Sequence, residues 1–104
     1  MDQEQIQKNL AELWKKYLPE IGERVGVLEH VCASLREGRF SEEERQAALA
    51  AAHKLAGAMG TFGRSHGTEL AREIESMLES GRLMPERIEE MKTRIEELRA
   101  MILG

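Results

Sequence analysis

Apolar residues recur at intervals of three and four along nearly the whole chain, and no stretch alternates with the period of two that a half-buried strand requires. That periodicity, punctuated by glycine and proline, predicts an all-α protein with five helical segments. The first covers residues 2–17, with Ile6, Leu10, Leu13, Trp14 and Tyr17 on one face. Pro19 opens the second, since a proline fits the first helical turn without losing a needed hydrogen bond. Ile21, Val25, Leu28, Val31 or Cys32, and Leu35 form its stripe, and Gly38 closes it. Ser41 with Glu44 makes a capping box that starts the third, which runs to 61 or 62 before Gly63. The fourth occupies residues 64–79, turning Leu70, Ile74, Met77 and Leu78 inward, and Gly81 stops it. Pro85 opens the fifth, with Ile88, Met91, Ile95, Leu98 and Ile102 inward.

Short connections at Gly38, Gly63 and Gly81 force neighbouring helices to run antiparallel. The expectation is one domain, 1–104. Residues 1–18 form an additional N-terminal covering helix, and residues 19–103 form an antiparallel up-down-up-down four-helix bundle. Trp14 and Tyr17 are expected to pack the first helix onto that bundle.

Composition excludes several classes. A net charge of −4, with 15 basic residues interspersed among 19 acidic ones, offers no cationic stripe for nucleic acid. No apolar run reaches the length of a membrane span, and the first residues lack the pattern of a signal peptide. A single cysteine, Cys32, rules out an intrachain disulfide and fits a reducing cytoplasm; its apolar neighbours favour burial. There is no GxxxxGK[ST] loop and no kinase glycine loop, so no nucleotide site of its own is expected.

The third helix holds the unusual feature. With about 100° per residue, Ala48, Ala51, Leu55, Ala58, Met59 and Phe62 form an apolar stripe, and His53 points away from it. Around the histidine stand Gln46, Leu49, Ala50, Ala56, Gly57 and Gly60, with Lys54 on the shoulder. A solvated helix face is ordinarily rich in Glu, Lys and Arg, as the fifth helix is. Each glycine inside a helix costs about 1 kcal/mol relative to alanine. Two of them beside a histidine imply a face built for close approach by another molecule.

The stretch "HKLAGAMGTFG", residues 53–63, resembles the signature of histidine-containing phosphotransfer (HPt) domains: His-x-Leu-x-Gly, then small residues and a later Gly. "GTELAREIESML", residues 67–78, resembles the helix that follows in that family. The resemblance implies a phosphorelay carrier in two-component signal transduction, not an enzyme with its own ATP site. His53 would accept a phosphoryl group on Nε2 from a receiver-domain aspartyl phosphate and pass it to another receiver. Gly57 would leave room for the phosphoryl group and the partner. Many members carry a lysine where this chain has Ala56, which leaves Lys54 to offset the phosphate charge. Glu75, 22 residues beyond the histidine, would hold Nδ1–H of the ring; its alternative is a solvated surface glutamate.

The partners implied are receiver domains of response regulators or hybrid kinases, met through Gln46, Leu49, Ala50, Ala56 and Gly60. Mg²⁺ would belong to the receiver, with no cofactor or metal on this chain. A cytoplasmic monomer is expected. A phosphorylation-independent helical adaptor is the alternative function. His30 and His66 read as surface or capping residues, His66 being the second candidate for phosphorylation. His53, His66 and Glu69 fit no established metal-ligand spacing.

Overall fold

A computed structural model describes residues 2–103, so both end positions of the expected 1–104 domain lie outside the described residues. The described residues form four α-helices: α1 (Gln3–Arg36), α2 (Glu42–Thr61), α3 (Ser65–Glu79) and α4 (Pro85–Leu103). No described residue lies in a strand. Each helix packs on its neighbours in sequence, and α4 returns to α1, closing a ring around one core.

The expected break at Pro19 does not occur. α1 is one helix of 34 residues that runs through the proline. At 1.5 Å per residue it spans about 51 Å, matching the 51 Å long axis of the molecule. A proline in a helix interior removes one backbone hydrogen bond, normally to the carbonyl four residues before it. Here Lys15 and Pro19 are both exposed, so water reaches that carbonyl. On the opposite side Trp14, Ile21, Val25 and Leu28 are buried, and their packing holds the two halves in line. Residues 3–18 are consequently the first part of α1 and form no separate covering helix.

The remaining boundaries follow local chemistry. Asp2 caps α1 by accepting from the backbone N–H of Gln5 at 2.8 Å. Ser41 accepts from the N–H of Glu44 at 3.1 Å, and three glutamates occupy the positive end of α2. Gly38, Gly63 and Gly81 have φ of 72°, 71° and 93°, the left-handed region in which a side chain is strained.

Ile21, Val25, Leu28, Leu55, Met59, Ile74, Leu78, Met91 and Leu98 are the largest fully enclosed side chains. Val31 and Cys32 are both buried, while Leu35 is half-buried. Burial pushes the Cys32 thiol above its ordinary range, as suits a core residue. The first-helix stripe fares differently. Trp14 is enclosed, edge-on to Phe62 with ring centroids 5.3 Å apart and with the Arg64 guanidinium 3.8 Å over its face. Ile6, Leu10, Leu13 and Tyr17 stay exposed, although the Tyr17 ring also lies against Phe62, tilted and with centroids 6.2 Å apart, as expected of it.

Candidate functional site

His53 stands just past the middle of α2, and its side chain is 79% exposed. Its Nδ1 lies 3.3 Å from Oε2 of Glu75 on α3. No described residue partners Nε2, which faces solvent. The α2–α3 packing brings these two residues together. Arg45 donates to the carbonyl of Leu78 at 2.9 Å, and Thr68 donates to the carbonyl of Ala56 at 2.9 Å. Along this interface residue numbers therefore run in opposite directions; Glu75 lies between those two anchors, about a turn beyond the level of His53, and its side chain reaches back to the ring. Glu75 is only 24% exposed at its side chain, so its carboxylate is held near the helix pair rather than sweeping through water.

The surroundings of the ring are bare. Gly57, one turn on, has nothing within 4 Å of where a Cβ would sit. Packing therefore does not require glycine at 57. Gly60 has Thr68 Oγ1 at 3.5 Å from that position, an ordinary contact. Lys54, Ala50 and Gln46 are exposed, and Leu49 is half-buried. Gln46 donates to Glu42 at 3.0 Å, one turn back on the same helix.

Ala56 is placed otherwise than expected: only 6% of it is exposed. The helical projection assumed a single buried stripe, but α2 packs on both α1 and α3, which widens its buried arc. Ala52 is fully enclosed, and Ala56 is nearly so beside Thr68 of α3, so Ala56 offers no side chain to a docking molecule.

Thr68 has a positional role that the pattern reading did not single out. Its hydroxyl reaches the α2 backbone because Ala56 and Gly60 are small there. The small residues of α2 thus admit α3 as well as leaving the outer face open. One residue earlier on α3, Gly67 packs against Met59 with no room for a Cβ.

The other two histidines have different surroundings: His30, 74% exposed, is nearly as open as His53 but stands on α1 beside Glu44. His66 has Nε2 3.0 Å from Glu97 and Nδ1 3.9 Å from Glu69, so both ring nitrogens face carboxylates. His30 Nε2 lies 3.7 Å from Glu44. Among the described residues no group of three or more His, Cys, Asp and Glu side chains could hold a metal ion. No described helix is long and apolar enough to cross a membrane.

The arrangement can do a limited chemistry. A neutral imidazole with its proton on Nδ1 carries a lone pair on Nε2, and a carboxylate at Nδ1 favours that tautomer. The exposed nitrogen is then a nucleophile with open space around it, and nothing nearby serves as a second reacting group.

A family model described as "Hpt domain" matches residues 12–101, a span that includes the α2 face, Glu75 and most of every helix. The chain is 31% identical over 97 residues to a protein described as "Protein RcaC" from Microchaete diplosiphon. That match covers 92% of this chain but 15% of the relative, so the chain corresponds to a small part of that protein. No solved structure gives a significant match. A helical bundle with His53 on its open α2 face, together with a family match over most of its length, makes this chain a member of the Hpt domain family.

Proposed function

We propose that this chain is a phosphorelay carrier and that His53 is the residue phosphorylated. The family's chemistry is histidine phosphotransfer, and the observation that carries the assignment to His53 is its exposed ring, with Nδ1 on Glu75 and Nε2 facing solvent. The Nε2 lone pair attacks the phosphorus of an aspartyl phosphate on a receiver domain. The bond from phosphorus to the aspartate oxygen breaks, the carboxylate departs, and the ring proton stays on Nδ1 beside Glu75. Transfer to a second receiver reverses these events. Phosphoryl transfer depends on positioning and charge stabilisation more than on covalent help from the carrier.

In this reading Gly57 keeps the approach open, and Lys54 offsets the charge of the phosphoryl group. Gln46, Leu49, Ala50 and Gly60 form the contact face on an antiparallel up-down-up-down bundle. The partners are receiver domains of response regulators or hybrid kinases, which bring the Mg²⁺. The chain acts as a single cytoplasmic domain without an ATP site or cofactor of its own.

The test is incubation with a phosphorylated receiver and Mg²⁺, followed by measurement of acid-labile, base-stable label. Wild type should carry it and His53→Gln should not. Label persisting in His53→Gln would move the site, with His66 next. A receiver that binds His53→Ala as it binds wild type, without regard to phosphorylation, would favour the adaptor reading instead.

A further inference from the structure

α1 outruns the helices around it. Its 34 residues rise about 51 Å, against about 30 Å for the 20 residues of α2. None of residues 3–13 is buried. Along this overhang Ile6, Leu10, Leu13 and Tyr17 are 45%, 38%, 43% and 44% exposed. Their spacing of four, three and four is the d-a-d-a pattern of a heptad seam. Trp14, one position round the helix, is buried edge-on against Phe62; of the seam residues Tyr17 also meets that ring, with centroids 6.2 Å apart, yet all four keep much of their surface in water. Polar residues close it at both ends: Gln3 holds the preceding a position and Glu20 the following d position. Ile6 and Leu10 also precede residue 12, where the family match begins.

We propose that a second copy of this chain covers the seam, the two overhangs packing antiparallel about a two-fold axis between residues 11 and 12. With that axis Leu10 meets the second copy's Leu13 and Ile6 meets the second copy's Tyr17. All four apolar layers then form at once, as an isologous interface requires. The polar ends match too, because Gln3 comes opposite the second copy's Glu20. A parallel pair would instead set Glu20 against Glu20 and bring both bundles, each about 20 Å across, to the same end of the paired helices. The antiparallel arrangement sends them to opposite ends. Lys8 and Lys15 fall on the outer side of the seam and do not oppose it. Four layers make a small interface, so the dimer is of the weak, concentration-dependent class. None of this rests on the phosphotransfer reading.

Sedimentation equilibrium of the 104-residue chain from micromolar to millimolar concentration tests the proposal. Apparent mass should rise towards that of a dimer, and Leu10→Glu combined with Leu13→Glu should weaken association at least about tenfold. Both leucines are exposed, so helicity and Tm of that variant should hold. In a Cys32→Ala background, Leu10→Cys mixed with Leu13→Cys should form the mixed disulfide faster than either same-residue disulfide. A monomer at every concentration overturns the proposal, as does association that survives the double glutamate variant. Faster same-residue disulfides overturn the antiparallel register. A monomer whose overhang resonances shift on addition of a receiver domain assigns the seam to that partner and overturns it as well.

Discussion

Nδ1 of His53 lies 3.3 Å from a carboxylate oxygen of Glu75, a residue 22 positions later and on a different helix. The exposed ring thereby has one orientation favoured over others, with its second nitrogen turned to solvent. Removing the carboxylate should leave the fold intact and release the ring. For Glu75→Ala we expect ¹⁵N histidine spectra to lose the dominance of the Nδ1–H tautomer. Phosphoryl acceptance should slow roughly tenfold, equivalent to about 1.4 kcal/mol of transition-state stabilisation. An unchanged tautomer ratio would show that Glu75 does not orient the ring.

Gly57 separates stability from function. Nothing lies within 4 Å of a Cβ added there, and glycine in a helix interior is worse than alanine by about 0.5–1 kcal/mol. Gly57→Ala should therefore raise Tm in thermal denaturation while slowing transfer from a receiver. Gly57→Leu should fold equally well and slow transfer further, because its side chain stands on the approach to His53. Transfer at the wild-type rate in the leucine variant would remove the steric argument.

Gly67 behaves oppositely. A Cβ at this position would meet Met59 Sδ at 2.8 Å and Cγ at 2.9 Å, and Met59 is fully enclosed. Gly67→Ala should lower the unfolding free energy by about 1–3 kcal/mol, the range for overpacking a core. Urea denaturation with an unchanged m-value is the check.

Pro19 tests whether α1 is one helix. Pro19→Ala restores a backbone donor in an interior turn, where proline costs about 3 kcal/mol or more. A gain of about 1–3 kcal/mol in unfolding free energy is expected after the unfolded chain's greater freedom is allowed for. Two helices broken at residue 18 would give a loss or no change.

Glu44 sets part of the acid limb. The nearby Ser34 hydroxyl, with further help from Ser41 and His30, holds its carboxyl below the usual range. A lowered folded-state value contributes stability above the unfolded carboxylate's value of about 4.3, and that contribution disappears as pH falls through the lower one. Glu44→Gln should make unfolding less steeply pH-dependent below about 4.3, read by chemical denaturation at several pH values. An equally steep acid limb in the variant would place the effect elsewhere.

Helix content, the cap at Ser41, the turns at Gly38, Gly63 and Gly81, and the open face around His53 were all legible in the sequence. Each depends on interactions within a few residues, where periodicity, capping and φ preferences act directly. Three other properties were decided only by the fold. The apolar stripe of the first segment does not predict its own exposure, since Ile6 and Leu10 have the same pattern as a buried face. Ala56 becomes core because α2 has two neighbours, a fact external to α2. Pro19 sits inside a helix because packing of Trp14 and Ile21 on either side outweighs a local preference of a few kcal/mol.

Glu75 lies between the two cases. Its separation from His53 could be counted in the chain, but only the α2–α3 packing, anchored by Thr68 and Arg45, sets the carboxylate at the ring nitrogen. Local sequence thus determined, Pro19 and its neighbours apart, which residues are helical and which face is bare. Tertiary packing decided which apolar residues are enclosed and which polar pairs meet, because those outcomes depend on surfaces that are distant in the chain.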